Sequence, residues 1–116
     1  MLPFRAFLAV LIAVLYGYTL VVGANHGWNL LPVFFADIAR VGWPGQFNLD
    51  FTCMLLMSAL WVAWRHGFSG AGLALGFVAS VGGTGFLAPY LLVLTFQTRG
   101  DMRALLLGPE RARAAR

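Results

Sequence analysis

The stretch SGAGLALGFVASVGGTGFLAPYLLVLTFQ, residues 69–97, is the longest apolar run in the chain, and the fold turns on how it is read. No charged residue interrupts it. A helix over 70–97 rises about 1.5 Å per residue and exceeds what a hydrocarbon core of roughly 30 Å requires. Two arrangements fit. One is a single helix bent at Pro89, which lacks an N–H and crowds the carbonyl of Gly85. The other is two short re-entrant pieces hinged at Gly82–Gly83. Irregular backbone in lipid must be satisfied by protein or water, so the single bent helix is the simpler expectation.

Outward from this stretch, two further apolar segments of spanning length precede it. Ala6–Val22, extended slightly at both ends, predicts a span over about 5–24. A cleaved signal peptide is the competing reading, with Arg5 in its basic region and Val22-Gly23-Ala24 as the cleavage site. The run is longer than the usual apolar region of such a peptide, so a retained helix is expected. Asn25-His26-Gly27 ends it. Leu31, Phe34, Phe35 and Ile38 then recur at spacings of three and four, with Pro32 suited to a first helical turn and Asp37 and Arg40 on the other side. This predicts an interfacial helix over about 31–41. Trp43-Pro44-Gly45 reads as a turn, and the next span covers about 47–64, closed by Arg65-His66-Gly67. Trp28 and Trp43 flank one end of that span and Trp61 and Trp64 the other, as in interfacial aromatic belts. The remaining residues, 99–116, form a basic tail. In it Gly100 breaks the span, Asp101 caps a short amphipathic turn over Met102–Leu107, Gly108-Pro109 stops it, and 110–116 is expected to lack regular structure.

Composition supports the same class. The 116 residues are 60% hydrophobic and 10% charged, against roughly 25% charged in soluble domains. A chain this short cannot hide so much apolar surface from water. The expectation is an all-α integral membrane protein with about three transmembrane helices and one interfacial helix. Its net charge of +4 comes from arginine, with no lysine. Arg99, Arg103, Arg111, Arg113 and Arg116 crowd the tail, which suits anionic lipid head groups and offers no stacking platform for nucleic acid. With three spans, Arg5 and Arg65 fall on one side, and Arg40 and the tail on the other. Positive-inside then places the N-terminus outside and the C-terminus in the cytosol of a bacterial inner membrane.

Two constellations stand out. Gly72, Gly76, Ser80, Thr84 and Ala88 put a small residue at every fourth position, a pattern that lets helix backbones approach in lipid. Ala9, Ala13 and Gly17 repeat it more briefly in the first span. Asp50 is an acidic residue at the edge of a span, where a carboxylate is costly unless paired or hydrated. With three spans, Thr95, Gln97, Arg99 and Tyr18 fall on its side and complete a candidate polar site. Other chemistry is thin. His26 and His66 fall on opposite faces, Cys53 and Met57 make at most two soft ligands, and a lone cysteine excludes an internal disulfide. No phosphate loop, nucleophile–base pair or zinc motif is present, so no catalytic residue, metal or cofactor is expected.

From Trp28 to Gln97 the layout resembles a bacterial family of small multi-pass membrane proteins of unknown function. The likeness rests on Leu31-Pro32-Val33-Phe34-Phe35, Asp50-Phe51, Ser58-Ala59-Leu60-Trp61 and Gly85-Phe86-Leu87-Ala88-Pro89-Tyr90-Leu91-Leu92. It implies a three-helix layout and no assigned reaction. The residues themselves favour a helix–helix interaction protein, either self-associating or accessory to a larger membrane complex. The alternative is a small transporter or lipophile-binding protein using Asp50 at a homodimer interface.

Overall fold

Gly83 decides the architecture. In the computed structural model, which describes residues 1–115, Gly83 has φ 56° and ψ −145°, a region essentially confined to glycine. It divides the long apolar run into α4 (Gly70–Gly82) and α5 (Thr84–Gln97). Around them lie α1 (Leu2–His26), α2 (Leu31–Ala39), α3 (Trp43–Arg65), α6 (Met102–Leu107) and α7 (Pro109–Ala114). The protein is all-helical, and α1 and α3 are long and apolar enough to cross a membrane.

The expected single helix over 70–97 is therefore corrected to a hairpin. Helix α4 runs antiparallel to α3: a methyl group added at Gly76 would stand 3.0 Å from the carbonyl oxygen of Ala59 and 3.3 Å from the Ala63 methyl. The same addition at Gly83 would meet Phe51, farther back along α3. Helix α5 then reverses direction and runs antiparallel to α1. The Tyr16 hydroxyl donates to the Gly85 carbonyl at 2.5 Å, and the Arg5 guanidinium donates to the Thr95 carbonyl at 2.9 Å and to Thr95 Oγ1 at 3.0 Å. Pro89 explains the first of these bonds. Lacking an N–H, it leaves the Gly85 carbonyl without its helical donor, and the Tyr16 hydroxyl supplies one. Pro89 is accommodated inside α5 and is not the break.

Each leg of the hairpin rises only about 20 Å. Its tip reaches the level of Tyr16 and Phe51, well short of the ends of α1 and α3 at His26 and Trp43. The hairpin as a whole begins and ends at the same end of the molecule as Met1, with α4 starting and α5 finishing there. An added methyl at Gly100 would lie 3.3 Å from Met1, and Arg65 bonds to Leu105. The N-terminus and the tail therefore share one end of the molecule, whereas a single unbroken helix over 70–97 would have set them at opposite ends.

Three boundaries also move. Trp43-Pro44-Gly45 is the first turn of α3, with Pro44 in the early position where its missing N–H is harmless. Gly45 has no room for a side chain, because a methyl there would collide with the Asp37 carbonyl of α2. The Asn48 amide bonds to the Phe34 carbonyl at 3.1 Å and completes this docking of α2 on α3. Helix α2 ends at Ala39, ahead of Val41 at φ 53°. The tail beyond Glu110 forms α7 through Ala114, and Arg116 lies outside the described residues.

Candidate functional site

The polar site anticipated around Asp50 is not assembled. Thr95 is fully buried and held by Arg5, and its own hydroxyl donates to the Leu92 carbonyl at 2.6 Å. Gln97 and Arg99 lie at the Arg65 end of the bundle, roughly four helical turns along α3 from Asp50. Tyr18 is 70% exposed on α1. Asp50 is exposed and makes no hydrogen bond or ion pair among the described residues.

The small-residue stripe is divided. Gly72, Gly76 and Ala79 are buried on α4, and the glycines face Ala63 and Ala59 of α3. Thr84 begins a different helix and is exposed, whereas Ala88 is buried. The close approach of backbones is real for the first two glycines and internal to the chain. Ala9, Ala13 and Gly17 lie exposed on α1.

The built polar region is at the other end, where the tail folds back over the ends of α3 and α5. Asp101 starts α6 by accepting from the N–H groups of Arg103 and Ala104 at 3.0 and 3.4 Å. Arg65 is 7% exposed and donates through Nε to the Leu105 carbonyl at 2.5 Å and through Nη2 to the Ala104 carbonyl at 3.2 Å. These carbonyls belong to the last turn of α6, where a cation is favoured. The Trp61 indole donates to the Leu106 carbonyl at 3.1 Å. Arg111 donates to the Trp64 carbonyl, and its guanidinium carbon sits 4.1 Å from the centre of the Trp64 ring. Gly108, at φ 88°, turns the chain against the Arg65 carbonyl, with no space for a Cβ.

A cleft of about 570 Å³ opens beneath this tail, lined by Arg65, His66, Gln97, Thr98, Arg111 and Arg113. Glu110 lies on the same wall. His66 shares a hydrogen with the Tyr90 hydroxyl at 2.7 Å, and Tyr90 meets Trp61 edge-on. Burial, and then the positive charge of Arg65, hold His66 below the ordinary histidine value of 6.5, so its imidazole is neutral at pH 7. Sequence reading missed this cluster because its members come from the ends of three separate segments. The pairing of Trp61 and Trp64 with a basic tail was the available signal.

Charge is divided between the two ends. Arg5, Arg65, Arg99, Arg103, Arg111 and Arg113 gather at the tail end, with Asp101 and Glu110. Arg40, bonded to Asp37 at 3.3 Å, lies with Asp50 toward the other. Comparison with protein families, with curated proteins and with solved structures finds no match.

Proposed function

We propose that this chain is an integral membrane protein of the bacterial inner membrane, with both termini in the cytosol, that acts as a helix–helix assembly subunit. Lipid as its solvent is supported by exposure: only 11% of the apolar window of α1, and 11% of that of α3, is buried within the chain. Val10, Val14, Leu20, Leu56, Met57 and Leu60 are each more than half exposed, far more apolar surface than a soluble monomer presents. The orientation rests on the arginines, which favour the cytosolic side. On this reading α1 and α3 span, the α4–α5 hairpin is re-entrant from the cytosol, and α2 lies at the opposite interface. The basic tail then sits against the anionic cytosolic leaflet.

The observation that carries the assembly role is the hairpin tip. The N–H groups of Gly83, Thr84 and Gly85 and the carbonyls of Ser80, Val81 and Gly82 find no backbone partner among the described residues. In hydrocarbon each unmet group costs several kcal/mol, and such backbone persists only against protein or water. A second copy of the chain, or another membrane helix, covers it in this reading. Asp50 supports a second reading, a small transporter. Among the described residues it makes no hydrogen bond or ion pair, and it is adjacent in sequence to Phe51, which packs at the tip; on this reading the tip faces a hydrated cavity.

One experiment separates the two. Thr84→Cys in a Cys53→Ser background, in native membranes, is expected to cross-link to a partner under mild oxidation or bifunctional thiol reagents. It should also resist a membrane-impermeant thiol reagent. Rapid labelling without cross-linking would replace the assembly role with the hydrated one.

A further inference from the structure

The cleft under the tail has the composition of an anion site, and we propose that it binds a phosphate ester, carried either by a lipid head group or by a soluble ligand. Its donors are only partly used inside the chain. Arg65 spends Nε and Nη2 on α6 and also reaches the Tyr90 hydroxyl, so it contributes to the cleft mainly through its charge. Arg111 spends one amino group on Trp64. The Arg113 guanidinium makes no hydrogen bond or ion pair among the described residues, and neither does the Gln97 side-chain amide. Planar guanidinium groups match phosphate oxygens in pairs, which point charges on flexible stems do less well. Glu110 is the opposing charge at this wall, and it reduces the formal charge of the three arginines from three to two. The wall stays cationic and so still attracts an anionic phosphate ester, and the Glu110 carboxylate is an acceptor for a head-group hydroxyl.

Volume and position agree with this assignment. About 570 Å³ is in the range of small-molecule sites. The cleft lies at the ends of α3 and α5, beside Trp61 and Trp64, and interfacial tryptophans mark head-group depth. Arg65 is fixed by burial, and Arg111 by stacking on Trp64, so two donors are already oriented before a ligand arrives. The lipid source rests on the membrane reading above. The phosphate chemistry does not.

The test uses the full chain in detergent micelles, with binding read by native mass spectrometry and thermal unfolding. Phosphatidylglycerol, phosphatidylcholine and inorganic phosphate are added separately. Phosphatidylglycerol is expected to form a one-to-one adduct and raise the unfolding temperature, and phosphatidylcholine to do neither. Arg113→Gln, which breaks no side-chain hydrogen bond or ion pair among the described residues, should weaken the adduct about tenfold, the value of one charge-assisted hydrogen bond. Arg40→Gln, at the other end, should leave it unchanged. Protection by inorganic phosphate equal to that by phosphatidylglycerol, and equally sensitive to Arg113→Gln, supports the site and assigns it to a soluble phosphate ester. Unchanged binding in Arg113→Gln and Arg111→Gln, or an equal loss in Arg40→Gln, overturns the proposal. Neither result bears on cross-linking at Thr84, so failure here and failure of the assembly reading are distinguishable.

Discussion

Gly76→Leu is expected to destabilise the protein by about 3 kcal/mol or more, the upper range for overpacking, and to separate α4 from α3. The reason is local. A single methyl at this position already stands 3.0 Å from the Ala59 carbonyl oxygen and 3.3 Å from the Ala63 methyl, so it meets the neighbouring backbone, which cannot rotate away. In lipid, where apolar burial gives little drive, such close packing is what holds helices together. Leu75→Ile, one residue away and only partly buried, should change stability by less than about 1.5 kcal/mol. Thermal or denaturant unfolding in micelles compares them. Equal losses would mean that the α3–α4 contact is not the tight one described.

Arg65→Met should release the tail while leaving the hairpin in place. The substitution keeps much of the apolar stem but removes the guanidinium donors to the Leu105 and Ala104 carbonyls in the last turn of α6. Hydrogen bonds from a charged group are worth about 1.5–3 kcal/mol each, which corresponds to roughly a tenfold or greater rise in the open population of the tail. Trypsin should then cut at Arg103 and Arg111 at least tenfold faster than in the wild type, with α1 to α5 still protected. Arg65→Lys should fall between, because an ammonium keeps the charge without the fork. A cleavage rate unchanged from wild type would show that Trp61 and Arg111 hold the tail unaided.

How far this fold was legible depends on the element. Helices α1 and α3 announce themselves through apolar length, and α2 through apolar periodicity with Pro32 suited to its first turn. Trp43-Pro44-Gly45 misleads, since proline and glycine signal turns in isolation; its helical role depends on Gly45 meeting Asp37, a contact that periodicity does not record. The small residues at 72, 76, 80, 84 and 88 suggest one continuous face, yet the spacing survives a reversal of direction between Gly82 and Thr84. That reversal hangs on the backbone of one residue, Gly83, and the argument against it was the cost of unmet backbone groups at the tip. Those groups find no backbone partner among the described residues. The candidate site was legible in parts: Asp101 as a cap, the basic tail and the paired tryptophans. Its assembly was not, because joining the Arg65 loop, the end of α5 and the tail requires the hairpin first.

The hairpin makes its own demand on topology. An unbroken third helix puts the N-terminus and the tail on opposite sides of the bilayer, whereas a re-entrant α4–α5 puts them together. The decisive measurement is a matched pair of reporter fusions, at Met1 and after Ala115, each read for cytosolic against periplasmic activity in the same cells. Cytosolic signals from both ends are the predicted result. A periplasmic N-terminus with a cytosolic C-terminus would contradict the re-entrant hairpin and restore the single bent helix over 70–97.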